Sequence, residues 1–184
     1  MPSRVRGERP LAGRGRLRRV TTSKHLGQWQ IQPREGEVHM KTSRVGLFSM
    51  SATAPIVGGE ADWTTAEADL VIQIGLNEMK TGNSLLDPEV QKLINRGSDG
   101  MLTFKGSGHA HDDEVRFEGT ATAGNVVVPM ILLGEAEEES ETQREVKVSG
   151  TATFDDLHLP LPGLSHVRKI DLHIEAMLRL LRQQ

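Results

Sequence analysis

The fold class turns on the stretch "KIDLHIEAMLRLL", residues 169–181. Its even positions Ile170, Leu172, Ile174, Ala176, Leu178 and Leu180 are apolar, and its odd positions Asp171, His173, Glu175 and Arg179 are polar, with Met177 and Leu181 the exceptions. A helix would space its apolar residues three and four apart, whereas a period of two puts one face of an extended strand into a core. Earlier in the chain, "ADLVIQIGL" (68–76) repeats the pattern with Leu70, Ile72, Ile74 and Leu76 on one face. "NVVVPMILL" (125–133) is apolar almost throughout, as expected of a strand covered on both faces, with Pro129 marking an edge or a bulge.

Weaker alternation predicts further strands at 28–31, 37–42, 44–52, 101–107, 114–122 and 145–154. Turn-forming residues separate them at Gly58-Gly59, Gly97 to Gly100, Gly106 to Asp113, Gly124-Asn125, Gly134 and Gly163. The acidic run "GEAEEESETQRE" (134–145) reads as a solvated hairpin loop. Short strands at regular intervals predict an all-β chain, an antiparallel sandwich or closed barrel. One segment departs from this. In "TGNSLLDPEVQKLINRG" (81–97), Asp87 suits a helix N-cap and Pro88 the first turn, Leu86, Val90, Leu93 and Ile94 form an apolar stripe, and Gly97 is a stop. A single short helix over 87–95, covering one end of the barrel, is the expectation.

Composition narrows the chemistry. The 184 residues include no cysteine, which removes disulfides, thiolate metal sites and a Cys nucleophile. Aromatic content of 3% argues against a surface built to stack bases. Residues 1–24 hold eight Arg and Lys against Glu8, a balance of +7; taken from the net −3, this leaves −10 on the other 160 residues. Such an acidic body disfavours phosphate backbones, so only the tail could engage nucleic acid or another anionic surface. The tail, residues 1–24, reads as a basic disordered extension, and residues 25–184 as one barrel domain. No apolar stretch follows the tail's charges to make a signal peptide and no window is long enough to span a membrane, so a cytoplasmic protein is expected.

Nucleotide-binding glycine loops, zinc-protease and serine-elbow motifs are absent from the sequence. The one local concentration of metal-binding residue types is "GHAHDDE" (108–114), where His109, His111 and Asp113 could share one face of a strand. Its flanks "MLTFKG" and "EVRFEGTAT" alternate as strands do, which makes it the solvent-exposed tip of a hairpin. A metal-dependent hydrolase built on these three residues is the alternative reading. A second is a stress-response interaction module acting through the Arg-rich tail.

The ordered set of segments resembles the YceI-like family of polyisoprenoid- and lipid-binding proteins with a lipocalin-like barrel. The segments are "GQWQIQPREGEVHMKT" (27–42), "ADLVIQIGLNEMKTGNSLLDPEVQKLI" (68–94), "GMLTFKGSG" (100–108), "RFEGTATAGNVVVPMILLGEA" (116–136) and "VSGTATFDDLHLPLPG" (148–163), followed by the last strand. The Phe-Phe-Asp-x-x-x-x-Pro stretch usual in the family after the helix is replaced here by "NRGSDGM" (95–101), and its Arg-Asp at the helix start by Leu86-Asp87. The resemblance implies an extended antiparallel barrel of about eight strands that carries or sequesters a polyisoprenoid or other long-chain amphiphile without catalysis and without a cofactor beyond the bound lipid. The lining this implies is Leu70, Ile72, Ile74, Leu76, Leu102, Phe104, Phe117, Val126, Val128, Met130, Ile170, Leu172 and Ile174, with Leu86, Val90, Leu93 and Ile94 from the helix. Edge strands of such barrels pair between copies, which leaves a homodimer open.

Overall fold

A computed structural model describes residues 26–44, 49–65, 67–84, 87–88, 91, 99–111, 114–157 and 167–183. Nine strands run through them: β1 Gly27–Ile31, β2 Glu37–Thr42, β3 Ser51–Trp63, β4 Ala68–Gly75, β5 Met101–His111, β6 Glu114–Ala123, β7 Val126–Glu139, β8 Gln143–Leu157 and β9 Val167–Arg182. Their order is β1-β3-β2-β9-β8-β7-β6-β5-β4, and the β3–β4 and β1–β9 pairings close the sheet on itself. Each ladder is antiparallel. The chain is a closed antiparallel β-barrel.

Nine strands make eight staves because β1 and β2 lie end to end. Both pair with β3, β1 at Gly27↔Trp63 and β2 at Glu37↔Pro55, and both pair with β9 on the other side. Between them residues 32–36 interrupt the ladder, with Arg34 at a φ of 62°. The interruption is tied down by backbone bonds from Arg34 N–H to Ile56 O (2.8 Å) and from Ile56 N–H to Gly36 O (3.1 Å). The Arg179 guanidinium of β9 reaches Glu35 in this segment at 2.9 Å and Glu145 of β8 at 2.6 Å. A barrel of eight staves has an interior wide enough for packed side chains or one small ligand.

Alternation sorts the residues as the last strand predicts: Ile170, Ala176, Leu178 and Leu180 are buried, while Met177 and Leu181, the two exceptions, are exposed. Several expected turns lie instead inside strands. Gly58-Gly59 falls within β3, at a register shift between Ile56 and Gly58; of the strand predicted at 44–52, Ser51 and Ala52 belong to β3 and 45–48 lie outside the described residues. β5 continues past Gly106 and Gly108 to His111, so the expected hairpin tip over 106–113 is strand as far as His111. β7 runs through Gly134 to Glu139, and the acidic loop shrinks to residues 140–142. These glycines serve close packing. A Cβ on Gly108 would collide with the Arg116 carbonyl of β6, and one on Gly106 would meet the Phe104 ring at 2.6 Å.

The helical expectation is met at Asp87, Pro88 and Gln91; the rest of 87–95 lies outside the described residues. Asp87 is itself helical and so is not the cap. Its carboxylate accepts hydrogen bonds from the Thr81 hydroxyl (2.6 Å) and backbone N–H (2.7 Å), which hold its pKa below the ordinary carboxylate value. Gln91 Nε2 donates to the Asn77 carbonyl at 3.1 Å, fastening this segment to the 3-10 turn Leu76–Glu78 that follows β4.

Candidate functional site

Strand direction gives the barrel two unlike ends. β2, β4, β6 and β8 finish at one end, and β3, β5, β7 and β9 start there. At the opposite end the inward positions carry bulk: Trp29, Ile31, Trp63, Leu70, Phe117, Leu178 and Leu180 are all buried in one apolar cluster. Arg144, 4% exposed, lies among them. Its guanidinium carbon is 4.9 Å from the Trp29 ring centre and 5.1 Å from that of Trp63. Burial pushes its pKa down to about 10, so it remains a cation at neutral pH, stabilised by the two indole faces. Among the described residues, this end is filled by bulky buried side chains.

The other end is hollow. The same inward rows bear smaller or sparser side chains there, including Ala121 and Ala123 of β6, Ala152 of β8 and Ala176 of β9, and a cavity of about 320 Å³ remains. It is lined by Val38 and Met40 of β2, Ile72 and Ile74 of β4, Leu76, and Leu102 and Phe104 of β5. Val126, Val128, Met130 and Leu132 of β7 face it, as do Val148 and Phe154 of β8 and Leu172 and Ile174 of β9. All nineteen of its lining residues among the described ones, the four alanines included, are apolar. With no charge or hydrogen-bonding side chain among these described residues, the wall they form suits an apolar chain.

Of the residues expected to line the barrel, Ile72, Ile74, Leu76, Leu102, Phe104, Val126, Val128, Met130, Leu172 and Ile174 surround this cavity. Leu70 and Phe117 belong to the packed end, and Ile170 is buried without reaching the cavity. Leu86, Val90, Leu93 and Ile94 lie outside the described residues. Sequence reasoning missed Val38, Met40, Leu132, Val148 and Phe154, although each sits in phase with an alternating row. It also missed the four alanines, whose contribution is the volume they leave empty. A run of small residues at inward positions near one end of successive strands is the signal that could have found them.

"GHAHDDE" belongs to the packed end, away from the cavity. His109 is exposed on β5 opposite Arg116, and His111 of β5 is in register with Glu114 of β6. Asp113 and the His111 side chain lie outside the described residues, as do residues 1–25. Among the described residues no three His, Asp or Glu side chains gather as metal ligands. Nor is any helix among them long and apolar enough to cross a membrane.

No protein-family model matches the chain, and no curated protein does. Solved structures do match in fold. A polyisoprenoid-binding domain from Saccharophagus degradans, implicated in plant cell wall breakdown, superposes with a TM-score of 0.57 at 15% identity, over 86% of this chain and 100% of that one. BcnA of Burkholderia cenocepacia superposes with a TM-score of 0.50 at 10% identity, over 78% of this chain and 95% of the other. The YceI-like, lipocalin-type barrel read from the sequence is the fold of this chain.

Proposed function

We propose that the protein is a non-catalytic carrier that holds the hydrocarbon chain of a polyisoprenoid or similar amphiphile in the hollow end of its barrel. The observation that carries this reading is the wall: among the described residues, nineteen from seven strands and the 3-10 turn line it, with no polar side chain among them. The fold neighbour named as polyisoprenoid-binding supports the ligand class. An apolar cavity of about 150 Å³ takes benzene, so one of about 320 Å³ takes roughly a dozen carbons, between two and three isoprene units. Each methylene moved from water into such a wall contributes about 0.8 kcal/mol, or about fourfold in affinity. No covalent step is needed for such binding.

The test is direct. Native mass spectrometry of the purified protein should show a co-purifying amphiphile, released by organic extraction. Calorimetry on the extracted protein should show binding of geraniol or 1-decanol with the negative heat-capacity change of apolar burial. Neither lipid nor alcohol bound would remove the reading.

A further inference from the structure

The barrel wall is not sealed all the way round. The β7–β8 ladder runs from Glu139↔Arg144 to Ile131↔Thr151 and stops there, although β7 begins at Val126 and β8 continues to Leu157. Over the same stretch β7 stays paired with β6 as far as Ala123↔Val126, and β8 with β9 as far as Leu157↔Val167. Of these three ladders only the seam between β7 and β8 is open. Proline causes the stop. The Ile131 carbonyl faces β8, since a Cβ on Gly150 would meet its oxygen at 2.6 Å. Backbone polar groups alternate sides along a strand, so those of Pro129 face β8 as well, and proline brings no N–H to that ladder.

The seam lies against the cavity. Val126, Val128 and Met130 on its β7 side and Ala152 and Phe154 on its β8 side all line the hollow end. At its lip Val126 and Val127 are 51% and 58% exposed. Beyond the lip the outer face of β7 is apolar as well: Val127, Pro129, Ile131 and Leu133 alternate outward, and all are exposed. The sequence predicts a strand covered on both faces, whereas the barrel covers only one.

We infer that the outer face of β7 is the second half of the binding site. An apolar chain longer than the cavity leaves through the β7–β8 seam and lies along Val127, Pro129, Ile131 and Leu133. This inference rests on the carrier reading above. The occupant follows from continuity and volume. The outer stripe adjoins the cavity through the open seam, and the cavity holds only about a dozen carbons of a chain. The stripe is bordered by Arg116, Glu118, Thr120 and Thr122 of β6 and by Ser149 and Thr151 of β8, so it is a narrow track one chain wide and not a broad patch.

The experiment compares geraniol, farnesol and geranylgeraniol, of two, three and four isoprene units, by displacement of a cavity-bound fluorescent probe. In the wild-type protein, affinity should go on rising from farnesol to geranylgeraniol by about tenfold or more. The exposed pair Ile131→Thr/Leu133→Thr should lose most of that gain and leave geraniol affinity unchanged. Because the chain has no cysteine, the pair Val127→Cys/Asp155→Cys, which keeps Pro129, can close the seam reversibly. Its oxidised form should bind geranylgeraniol no better than farnesol, and reduction should restore the difference. Geraniol binding with no further gain for geranylgeraniol, or a gain that survives the outer-face pair, overturns the track and leaves the carrier reading standing. Failure of the wild type to bind geraniol overturns both.

Discussion

Ala152 is 1% exposed and lines the cavity from β8, so its replacement by leucine distinguishes a hollow barrel from a filled one. In Ala152→Leu three added carbons point into the empty space. They occupy room otherwise available to a ligand, and at about 0.8 kcal/mol per methylene the ligand loses about 2.4 kcal/mol, or about fiftyfold in affinity. The same three carbons become buried in the free protein. After about 0.5–1 kcal/mol of lost rotamer freedom, the net gain in stability is about 1–2 kcal/mol. For a chain of this size that raises the melting temperature by about 3–6 °C. Weaker binding and higher stability are thus expected together. Calorimetric titration with 1-dodecanol reads the first, and urea unfolding with an unchanged m-value reads the second. If the cavity were already filled, the new leucine side chain would be forced into occupied space at a cost of about 1–3 kcal/mol. A variant that is less stable and binds as tightly as the wild type would therefore rule out a hollow end.

At the packed end, Trp29→Ala should cost about 3–5 kcal/mol in urea unfolding, because a fully buried indole is deleted beside Arg144. Geraniol affinity of the folded fraction should stay within about twofold, since this end does not line the cavity. Gly108→Ala should destabilise the β5–β6 hairpin and raise amide exchange at Arg116 and Phe117, because the new methyl has no room beside the Arg116 carbonyl; an unchanged exchange pattern would count against the close approach. Asp87 titrates below the ordinary carboxylate value, chiefly through the Thr81 hydroxyl bond. Its contribution is therefore complete above the unfolded-state pKa of about 3.8 and is lost as pH falls through the lower folded value. In Thr81→Val the Asp87 carboxyl, followed by NMR, should titrate closer to its ordinary value.

The class of fold is legible in the chain alone. A period of two over 170–180, 70–76 and 115–121 admits only strands with one buried face, and the absence of cysteine removes thiolate chemistry at a stroke. Strand lengths are misread wherever glycine and acidic residues fall inside a ladder, as at Gly58-Gly59, Gly106 to His111 and Gly134 to Glu139. Glycine marks a turn and a close backbone approach with the same letter, and only the neighbouring strand tells them apart. Acidic side chains on alternate outward positions likewise look the same as a loop. The site is legible in part. The large aliphatic residues in phase announce an apolar interior, and ten of the expected lining residues surround the cavity.

Where that interior is empty depends on the closure of the barrel, because emptiness belongs to no residue. It arises because Ala121, Ala123, Ala152 and Ala176, spread along the chain, are brought to the same end, while Trp29, Trp63 and Phe117 are brought to the other. The seam has the same origin: Pro129 removes one donor from β7, but which neighbour loses that bond depends on how β8 is registered against it.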